Sequence, residues 1–348
     1  MSADDEPRPP GGGATVCVTG AAGYLGSFIC EALLGAGYRV RGTVRDAADP
    51  AKTDHLRAMG EIDLYSADLT RPGSFDDAFD GCAFVIHAAS AVFLRAKDPQ
   101  KEIVDVAVDG TRNVLESARK ARVRRLVQTS SIAAIVDGRV DPRRHVFTEA
   151  DWNESSTVDD GPYDLSKVQA ERLARRVVDE LPGDQKLELV ALHPGLVLGP
   201  VKAKVHLRSS PSVIRRMMRG DFPMVPRLAF AVVDVRDVAL AHVRALEVDD
   251  PAPRYLLVAG GRWMKEVVET LRPAFPEAKL PRFTAPDPLV YALSLFDPQL
   301  SVAFLQRNLG VQRRFDRSRA ERELGIAFRA PEASILDTAR SARERGWV

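Results

Sequence analysis

Val16-Cys-Val-Thr19 runs directly into Gly20-Ala-Ala-Gly23-Tyr-Leu-Gly26, and a helix-forming segment follows. A strand, a glycine-rich turn and a helix in this order form the context of a dinucleotide-binding fingerprint. The first glycine permits the tight turn, the second lets backbone amides approach a pyrophosphate, and the third allows close packing of helix on strand. The positive end of the helix attracts the phosphates. We therefore expect five residues of this turn to bind a dinucleotide: Gly20, Gly23, Tyr24, Leu25 and Gly26.

Short β-rich runs alternate with longer amphipathic segments from residue 14 to residue 193. The hydrophobic pattern predicts strands at 14–19, 39–44, 62–65, 84–87, 125–129 and 188–192. It predicts helices near 24–36, 53–59, 75–79, 101–121 and 163–181. Helices between successive strands imply crossover connections, so the predicted fold class is α/β, with a Rossmann-type, doubly wound parallel sheet.

The same pattern divides the chain into parts. Residues 1–13 are acidic and rich in proline and glycine, which predicts a disordered tail. Residues 14–200 are predicted to form the dinucleotide-binding Rossmann domain. The alternation fades in 201–348, which we interpret as a smaller C-terminal α/β part that binds substrate. It has a strand candidate at 254–259, and we expect some return to the Rossmann core near 230–245.

Composition excludes several classes of function. The 348 residues are 45% hydrophobic, and the net charge of +1 gives no field that would favour nucleic acid or an anionic membrane. The apolar runs at 289–295 and 300–305 are too short to span a bilayer. The three cysteines and six histidines show no metal-ligand spacing. With no secretory signal, we expect buried reduced thiols, no metal, and a cytoplasmic protein.

The end of the second strand favours a phosphorylated cofactor. Arg45 stands where an acidic residue would bind the adenosine ribose hydroxyls, and Lys52 follows it on the next segment. Charge-assisted contacts of roughly 1.5–3 kcal/mol each from these two cations would favour NADP(H). Asp46 could instead bond a ribose hydroxyl, which favours NAD(H), so NAD(H) stays possible as the cofactor.

Two further strand ends are predicted to border the cofactor. Asp68 and Leu69 follow the third strand and are placed to contact the adenine, although Asp68 has the alternative of capping the next helix. The fourth strand ends at His87, which we interpret as a structural, hydrogen-bonded residue of the core. Small residues follow it and let the backbone come close to a cofactor: Ala88, Ala89 and Ser90.

Tyr163 and Lys167 are one helical turn apart, so the phenol and the ammonium lie on one helix face. Free tyrosine titrates near pH ~10, and work at neutral pH needs a pKa lower by about 3. An ammonium about 4.5 Å away, at an effective dielectric constant of about 20, contributes roughly 3.7 kcal/mol, close to the free energy required. The pair predicts a proton donor with its tuning cation, although an exposed helix can hold such a pair by chance.

Ser130 and Ser131 end the fifth strand, and the carboxyl ends of strands border the ligand crevice in a doubly wound sheet. A hydroxyl there meets the substrate. The sequence itself does not separate the two serines. The glycine-rich turn, the strand-end hydroxyl and the Tyr163/Lys167 pair follow one another along the chain, and this order is the specific signal.

With these motifs the chain resembles the extended short-chain dehydrogenase/reductase family, within the NAD-dependent epimerase/dehydratase superfamily. The matching stretches are 19–26, 68–69, 87–90, 129–131, 163–167 and 193–200. Within the family the chain is most similar to the dihydroflavonol reductase and cinnamoyl-CoA reductase branch, through 43–46, 233–239 and 315–325.

The resemblance implies that Ser131 orients a substrate carbonyl and Tyr163 exchanges its proton. It implies that Lys167 lowers the tyrosine pKa and bonds the nicotinamide ribose, and that hydride passes from C4 of the nicotinamide. Two positioned hydroxyls agree with this chemistry, because negative charge grows on the carbonyl oxygen as hydride arrives. The resemblance also implies backbone contacts to the carboxamide from Pro194, Gly195, Leu196 and Val197. It implies one side-chain contact to the cofactor, from Ser212.

The resemblance is incomplete around the substrate. Flavonoid reductases of this type have an asparagine a few residues beyond the catalytic serine, whereas Ile132-Ala-Ala-Ile-Val136 is apolar. The signature of cinnamoyl-CoA reductases, rich in Asn, Trp, Tyr and Cys, is absent from 161–167. We therefore expect a largely apolar pocket formed by 132–162, 201–230 and part of 284–308, and a hydrophobic aldehyde or ketone as substrate.

The sequence thus predicts an NADP(H)-dependent oxidoreductase of carbonyl and alcohol groups, acting on a small molecule as a monomer or homodimer. One alternative is an NAD-dependent nucleotide-sugar epimerase or dehydratase, or a 3β-hydroxysteroid-type dehydrogenase; Arg45 argues against the first. Another is a non-catalytic NADP-binding regulator on the same fold. Such proteins usually lack the tyrosine or the lysine, and this chain has both.

Overall fold

Fourteen strands and twelve helices can be assigned in the computed structural model, which describes residues 12–90, 96–294 and 301–348. The strands are, in chain order, β1 (Thr15–Thr19), β2 (Arg39–Val44), β3 (Ile62–Ser66), β4 (Phe84–His87), β5 (Arg125–Thr129), β6 (Val146–Phe147), β7 (Glu188–Pro194), β8 (Leu196–Leu198), β9 (Met224–Val225), β10 (Ala229–Asp234), β11 (Arg254–Leu257), β12 (Gly260–Trp263), β13 (Phe283–Thr284) and β14 (Arg314–Phe315). The helices are α1 (Tyr24–Gly35), α2 (Pro50–Arg57), α3 (Asp76–Phe79), α4 (Val106–Lys120), α5 (Pro162–Asp179), α6 (Ser212–Arg219), α7 (Val235–Glu247), α8 (Met264–Ala274), α9 (Asp287–Ser294), α10 (Val302–Asn308), α11 (Ser318–Glu323) and α12 (Pro331–Glu344). The predicted tail, 1–13, lies almost wholly outside the described residues.

Seven strands form the main sheet in the order β11-β7-β5-β4-β1-β2-β3, and every neighbouring pair is parallel. The bounds of β2, β4 and β5 coincide with the predicted ones. The strand order reverses between β1 and β4, which is where a doubly wound sheet binds its ligand. The predicted α/β class and doubly wound parallel sheet are confirmed.

Alternate residues of β1 face opposite layers of helices. Val16 and Val18 pack with α1 and α7 on one face of the sheet, whereas Cys17 packs with α3 and α4 on the other. All five residues of the strand are buried. A strand covered on both faces buries every side chain, which explains the unbroken apolar run from Val16 to Val18.

The helix predicted at 101–121 is divided in the structure. A π-helical turn, Gln100–Asp105, precedes α4. Side chains at the two ends of this turn are bonded, since Gln100 Nε2 donates to Asp105 Oδ1 at 2.6 Å. The helical pattern is continuous through both segments, so periodicity does not distinguish a π turn from the α-helix that follows.

The chain after residue 200 adds to the main sheet and also builds small sheets. β11 pairs with β7 at one edge of the main sheet, and α7 packs against α1. β12, β10 and β8 form a three-stranded sheet, and α6, α8 and α12 surround a second apolar core. The division at residue 200 and the substrate-binding role of 201–348 remain predictions.

Arg125 joins the amino ends of β5 and β7 to the end of α7. Its guanidinium is fully buried and pairs with Glu188 at 2.6 Å. It also donates to four main-chain carbonyls at and beyond the last turn of α7, those of Ala245, Leu246, Val248 and Asp249. Carbonyls at a helix C-terminus lack partners within the helix, and a cation there also interacts favourably with the helix dipole.

Arg125→Met should destabilise the protein by about 3–5 kcal/mol, because it leaves buried carbonyls without donors and Glu188 without its partner. Urea unfolding followed by circular dichroism measures this loss. The control is Arg39→Met, which changes an exposed arginine at the start of β2 and should alter the free energy of unfolding by no more than ~0.5 kcal/mol. Equal stabilities of the two variants would contradict the role given to Arg125.

Candidate active and cofactor-binding site

The predicted site residues gather at the carboxyl edge of the main sheet. Gly20 follows β1, Ala88 follows β4, Ser131 lies just beyond β5, and Pro194 ends β7. Parallel strands bring these ends to one edge, where an open α/β sheet binds its ligands. Helix α5 packs against β7 and against the turn that follows β5, so it lines the same edge.

The turn between β1 and α1 leaves no room for side chains at two positions. Gly20 has a φ of 69°, and a Cβ there would lie 2.9 Å from the Cα of Ala89. A Cβ on Gly26 would lie 2.3 Å from the carbonyl oxygen of Gly20. Glycine alone permits these approaches. The turn therefore presents backbone and the N-terminus of α1 to the cleft, which fits the pyrophosphate of a dinucleotide.

Tyr24 and Leu25 are directed towards the protein core. The Tyr24 hydroxyl donates to the Gly199 carbonyl at 3.0 Å, and its buried ring contacts Phe28 edge-on. Burial raises the pKa of Tyr24 well above its ordinary value. Leu25 packs against the same apolar core. A cofactor contact from either residue would therefore use the backbone amide.

Arg45 is the cation nearest the end of β2. It is exposed directly after the strand. Lys52, on α2, is held by Asp49 at 2.7 Å, and Asp46 accepts a hydrogen bond from the Ala48 amide at 3.0 Å. Lys52 and Asp46 thus both have local partners. Of the two cations, Arg45 is therefore better placed to bind a 2′-phosphate.

Asp68 caps its own turn rather than the next helix, α3, whose N-cap residue is Phe75. Its Oδ1 accepts hydrogen bonds from the Thr70 amide at 2.8 Å and from the Thr70 hydroxyl at 2.7 Å. These bonds, and to a smaller extent the charge of Arg45, lower the Asp68 pKa. The side chain of Leu69 lies against Gly110 of α4. Contacts from Asp68 and Leu69 to an adenine remain a prediction.

The end of β4 is bonded to the end of β1. Thr19 Oγ1 accepts a hydrogen bond from the Ala89 amide at 3.1 Å and lies 2.9 Å from His87 Nδ1. Burial lowers the pKa of His87 to about 3, so its ring is neutral. His87 thus has the structural environment expected of it. Ala88 is half-buried and Ser90 is exposed at the cleft end of the segment.

Ser131, Tyr163 and Lys167 converge on one place. The Ser131 hydroxyl is close enough to the Tyr163 phenol to lower its pKa, and Lys167 Nζ lies 5.7 Å from the centre of the Tyr163 ring. Lys167 Nζ also lies 3.5 Å from the Thr129 carbonyl oxygen at the end of β5. The residues predicted to be catalytic are therefore adjacent, and they come from a strand end and a helix that the fold packs together.

Ser130 and Ser131 have different surroundings, although they are neighbours in sequence. Ser130 is 4% exposed, and its Oγ donates to the carboxylate of Glu171 at 2.9 Å. Ser131 is half-buried and faces Tyr163. Of the two hydroxyls, that of Ser131 is the one available to a substrate in the cleft.

The pKa values of the tyrosine and lysine differ from expectation. Burial raises the pKa of Tyr163 to about 12, against a smaller lowering by the Ser131 hydroxyl, although the residue is 37% exposed. Burial lowers the pKa of Lys167 to about 8, against the opposing charge of Glu171. The predicted lowering of the tyrosine pKa by Lys167 is not met: desolvation of the phenol is the largest cause of the shift, and the other groups that act on this pKa are Ser131 and Asp164.

The stretch predicted to wrap a carboxamide is where the chain changes sheets. Pro194 ends β7, and Leu196 begins β8, which pairs with β10. The Gly195 amide donates to the Leu257 carbonyl at 3.1 Å, and a Cβ on Gly195 would lie 2.2 Å from the Ala231 carbonyl oxygen. Val197 is buried in the core. Ser212 begins α6 and is half-buried. Cofactor contacts from these residues remain predictions.

Apolar side chains and paired charges lie in and beside the segments that the sequence predicts to form the substrate pocket. Ile132 and Val136 pack with Phe147 and Phe315. Arg307 of α10 pairs with Asp160 before α5, so α10 is held against the loop that precedes the catalytic helix. Burial raises the pKa of Asp164, next to Tyr163, to about 6, against the attraction of Arg307 and Arg313.

A cavity of about 520 Å³ lies beside this apolar cluster, lined by residues 258–261, 312–315 and 317. These residues fall outside the ranges predicted for the pocket. β11 joins the main sheet next to β7, and β14 pairs with β6, so both segments reach this cavity through pairings distant in sequence. Residues 295–300 of the predicted pocket lie outside the described residues.

Glu171 is a buried polar residue that the sequence interpretation did not single out. It lies one turn beyond Lys167 on α5 and is completely buried. Because Glu171 lies four residues beyond Lys167, which the sequence already indicated, helical spacing could have identified it. Its partners His193 and Arg254 come from distant strands and gave no such local signal.

Among the residues that the structure describes, no three His, Cys, Asp or Glu side chains are placed to hold a metal ion. Within the same ranges no helix is both long and apolar enough to cross a membrane. Cys17, Cys30 and Cys82 are buried free thiols.

The fold, the glycine turn and the Ser131, Tyr163 and Lys167 cluster define a Rossmann-type dinucleotide-binding protein. Residues 16–259 match the NAD dependent epimerase/dehydratase family, and the chain belongs to this family. It is 34% identical to cinnamoyl-CoA reductase CAD2 of Medicago truncatula, over 97% of this chain and 98% of that protein. It is 32% identical to dihydroflavonol 4-reductase of Dianthus caryophyllus, over 77% of this chain and 78% of that protein.

A solved structure agrees with these relatives. Gre2 of Candida albicans, in complex with NADPH, has 28% sequence identity and a TM-score of 0.80, over 95% of this chain and 99% of that chain. The resemblance to the dihydroflavonol reductase and cinnamoyl-CoA reductase branch of the extended short-chain family is confirmed.

Gly26→Ala should abolish measurable NADPH binding, because its methyl group would meet the Gly20 carbonyl and displace α1 from the turn. Fluorescence titration with NADPH measures the affinity, and thermal unfolding reports on the fold. Gly35→Ala on the same helix is the matched control, since among the described residues nothing lies within 4 Å of its added Cβ. That control should bind NADPH normally and gain about 0.5–1 kcal/mol of stability. Unchanged NADPH affinity in Gly26→Ala would contradict the close-packed turn.

Proposed function

We propose that this protein is an NADP(H)-dependent reductase that transfers hydride between the nicotinamide and the carbonyl group of a hydrophobic aldehyde or ketone. The observation that supports this best is the convergence of Ser131 and Lys167 on Tyr163, at the sheet edge where the glycine turn opens. The relatives described above are named as reductases, and Gre2 was solved with NADPH. The chain's apolar stretch after Ser131 favours a hydrophobic substrate.

Tyr163 is suited to give a proton to the carbonyl oxygen. Its raised pKa keeps the phenol protonated at neutral pH, which is the form that reduction requires. Ser131 supplies a second hydroxyl to the same oxygen, where negative charge develops. The Lys167 ammonium stabilises the phenolate that proton transfer leaves behind. NADPH, when bound, supplies the hydride.

Arg45 is the side chain that supports NADP(H) over NAD(H). It stands exposed at the end of β2, near enough to Asp68 to help lower the pKa of that carboxyl, whereas Lys52 is paired with Asp49. A guanidinium can hold a 2′-phosphate through two parallel hydrogen bonds. The nucleotide-sugar alternative would instead retain NAD through turnover, so cofactor that co-purifies and is not consumed would favour it.

The substrate, assembly and location are part of the proposal. We expect residues 201–348 to supply most of the substrate contacts, the substrate to be an aromatic or aliphatic carbonyl compound, and the protein to be a cytoplasmic monomer or homodimer. Three buried free thiols agree with a reducing compartment. NADPH oxidation against a panel of aromatic, aliphatic and steroid carbonyls tests the substrate class, and light scattering tests the assembly.

Tyr163→Phe should lower kcat for carbonyl reduction by about 10²-fold or more, since it removes the proton donor and leaves the ring in place. NADPH affinity should change little. Tyr38→Phe is the control, because this tyrosine precedes β2 at the opposite edge of the sheet, and it should keep wild-type kcat. The proton role assigned to Tyr163 is wrong if Tyr163→Phe turns over at a rate near that of the wild type.

Arg45→Ala should lower kcat/KM for NADPH by about 10- to 100-fold while leaving kcat/KM for NADH nearly unchanged. Initial rates with each cofactor and one accepted carbonyl substrate measure the ratio. Lys52→Ala should have a smaller effect, because its ammonium is already paired with Asp49. An equal loss with both cofactors in Arg45→Ala would show that Arg45 does not read the 2′-phosphate.

A further inference from the structure

Glu171 is a charged group that the proposed reaction does not use. It lies on α5, four residues beyond Lys167 and eight beyond Tyr163, so the three side chains follow one another along one helix face. The Glu171 side chain is completely buried. A buried carboxylate is costly unless donors satisfy its oxygens, so its partners indicate why it is there.

The carboxylate of Glu171 receives hydrogen bonds from three strand ends and its own helix. Oε2 is bonded by Ser130 Oγ at 2.9 Å and by His193 Nε2 at 2.7 Å. Oε1 is bonded by Arg254 Nε at 2.8 Å and by Arg175 Nη2 at 3.0 Å. Ser130 follows β5, His193 is in β7, and Arg254 begins β11. One side chain thus connects three adjacent strands of the main sheet to α5.

Arg254 extends the connection to the loop before α5. Its Nη1 donates to the carbonyls of Glu149 at 2.5 Å and Asp151 at 2.7 Å, and its guanidinium lies 4.0 Å from the centre of the Trp152 ring. Arg254 is buried. This loop, which the sequence predicts to be part of the substrate pocket, is therefore fixed through the same carboxylate.

The end of β5 is attached to α5 by three successive residues. The Thr129 carbonyl contacts the Lys167 ammonium, the Ser130 hydroxyl bonds the Glu171 carboxylate, and the Ser131 hydroxyl lies next to the Tyr163 phenol. The middle contact is the buried one. It sets the position of the strand end, and so of Ser131, relative to the helix that holds the phenol and the ammonium.

We propose that Glu171 is a positioning residue for the reaction: by binding Ser130, His193 and Arg254 it holds Ser131 and Tyr163 in register across the cleft. The inference rests on the proposed reductase function, in which those two hydroxyls share one carbonyl oxygen. Misplacement of a reacting group by about 1 Å can cost roughly 10²-fold in rate.

The charge of Glu171 has a second consequence, for Lys167. The charged or titratable groups that face Lys167 are Tyr163 and Glu171 on α5 and His87 at the end of β4. His87 is neutral, so the Glu171 carboxylate is the negative charge that opposes the desolvation of the ammonium. Because Lys167 has a pKa of about 8, the ammonium is present below that pH and is lost as pH rises through it. Removing the carboxylate charge moves this loss to lower pH.

Glu171→Gln tests the charge while keeping the shape. The amide oxygen can still accept from the two arginines, and the amide nitrogen can donate to Ser130 Oγ. It can also donate to His193 Nε2 when that ring carries its proton on Nδ1, which faces the Tyr255 carbonyl. We expect the midpoint of the alkaline loss of kcat to move down by about one pH unit or more. We expect kcat at pH 7 to fall about 10-fold. Circular dichroism and thermal unfolding establish that the variant is folded at the assay temperature.

Glu188→Gln is the matched control. Glu188 is also a carboxylate paired with a buried arginine between β5 and β7, but at the opposite edge of the sheet. It should lower the melting temperature and leave kcat and its pH profile unchanged. A merely structural role for Glu171 would give the same pattern, so wild-type kcat and an unmoved alkaline midpoint in folded Glu171→Gln overturn the proposal.

Ser130→Ala tests the position while keeping the charge. It removes the bond from the end of β5 to Glu171, so kcat should fall about 10-fold with no movement of the alkaline midpoint. If Glu171→Gln fails to fold, this variant decides the question: unchanged kcat in Ser130→Ala overturns the proposal, and a reduced kcat supports it.

NADPH affinity, measured by fluorescence at each pH, separates this proposal from the reductase function. A wild-type protein that binds NADPH but reduces no carbonyl overturns the proposed function. In that case the comparison is the alkaline pH at which NADPH affinity is half lost, in the wild type and in Glu171→Gln. A lower value in the variant supports the effect of Glu171 on Lys167, and an unchanged value overturns it.

Discussion

The cleft depends on one constraint. At the turn between β1 and α1, backbone packs directly against backbone, with no side chain between them. Gly26 of α1 lies against the Gly20 carbonyl, and Gly20 lies against Ala89 beyond β4. These contacts fix one helix and two strand ends in a single place. β5 then pairs with β4 in register, and α5 packs on the end of β5, so the position of the phenol in the cleft follows from packing at the first turn.

Hydrogen bonds between buried polar side chains complete this edge of the sheet. Thr129 and Ser130, adjacent in sequence, point to opposite faces: Thr129 Oγ1 lies 2.7 Å from His242 Nε2 on α7, and Ser130 reaches Glu171 on α5. Each pair satisfies groups that would be costly to bury alone. Such satisfied contacts specify one arrangement of strand and helix, which a purely apolar contact would specify less strictly.

Much of the fold and part of the site could be predicted because their signals are local. The bounds of β2, β4 and β5 follow from short β-rich runs that end at turns, and the Tyr163/Lys167 pair follows from helical spacing. The direction of the tyrosine pKa was not predictable, because a Coulomb estimate for one pair omits the desolvation that only the folded structure reveals. Asp68 was predicted to contact an adenine or to cap the next helix, and its observed hydrogen bonds, to Thr70 two residues on, belong to neither role. Arg254 and Glu171 are far apart in sequence, so hydrophobic periodicity could not predict their contact.

The place of β11 in the main sheet has a consequence for the order in which the chain can fold as it is synthesised. β7 ends at residue 194 and its outer neighbour does not begin until residue 254. While the ribosome makes the residues between them, one edge of β7 stays open, and the face of α1 that α7 will cover stays uncovered. Open edges and uncovered apolar faces are where nascent chains aggregate. A polypeptide released shortly after residue 200 would contain the whole glycine turn, Ser131, Tyr163 and Lys167, yet it would be a substrate for chaperones and proteases rather than a small working enzyme.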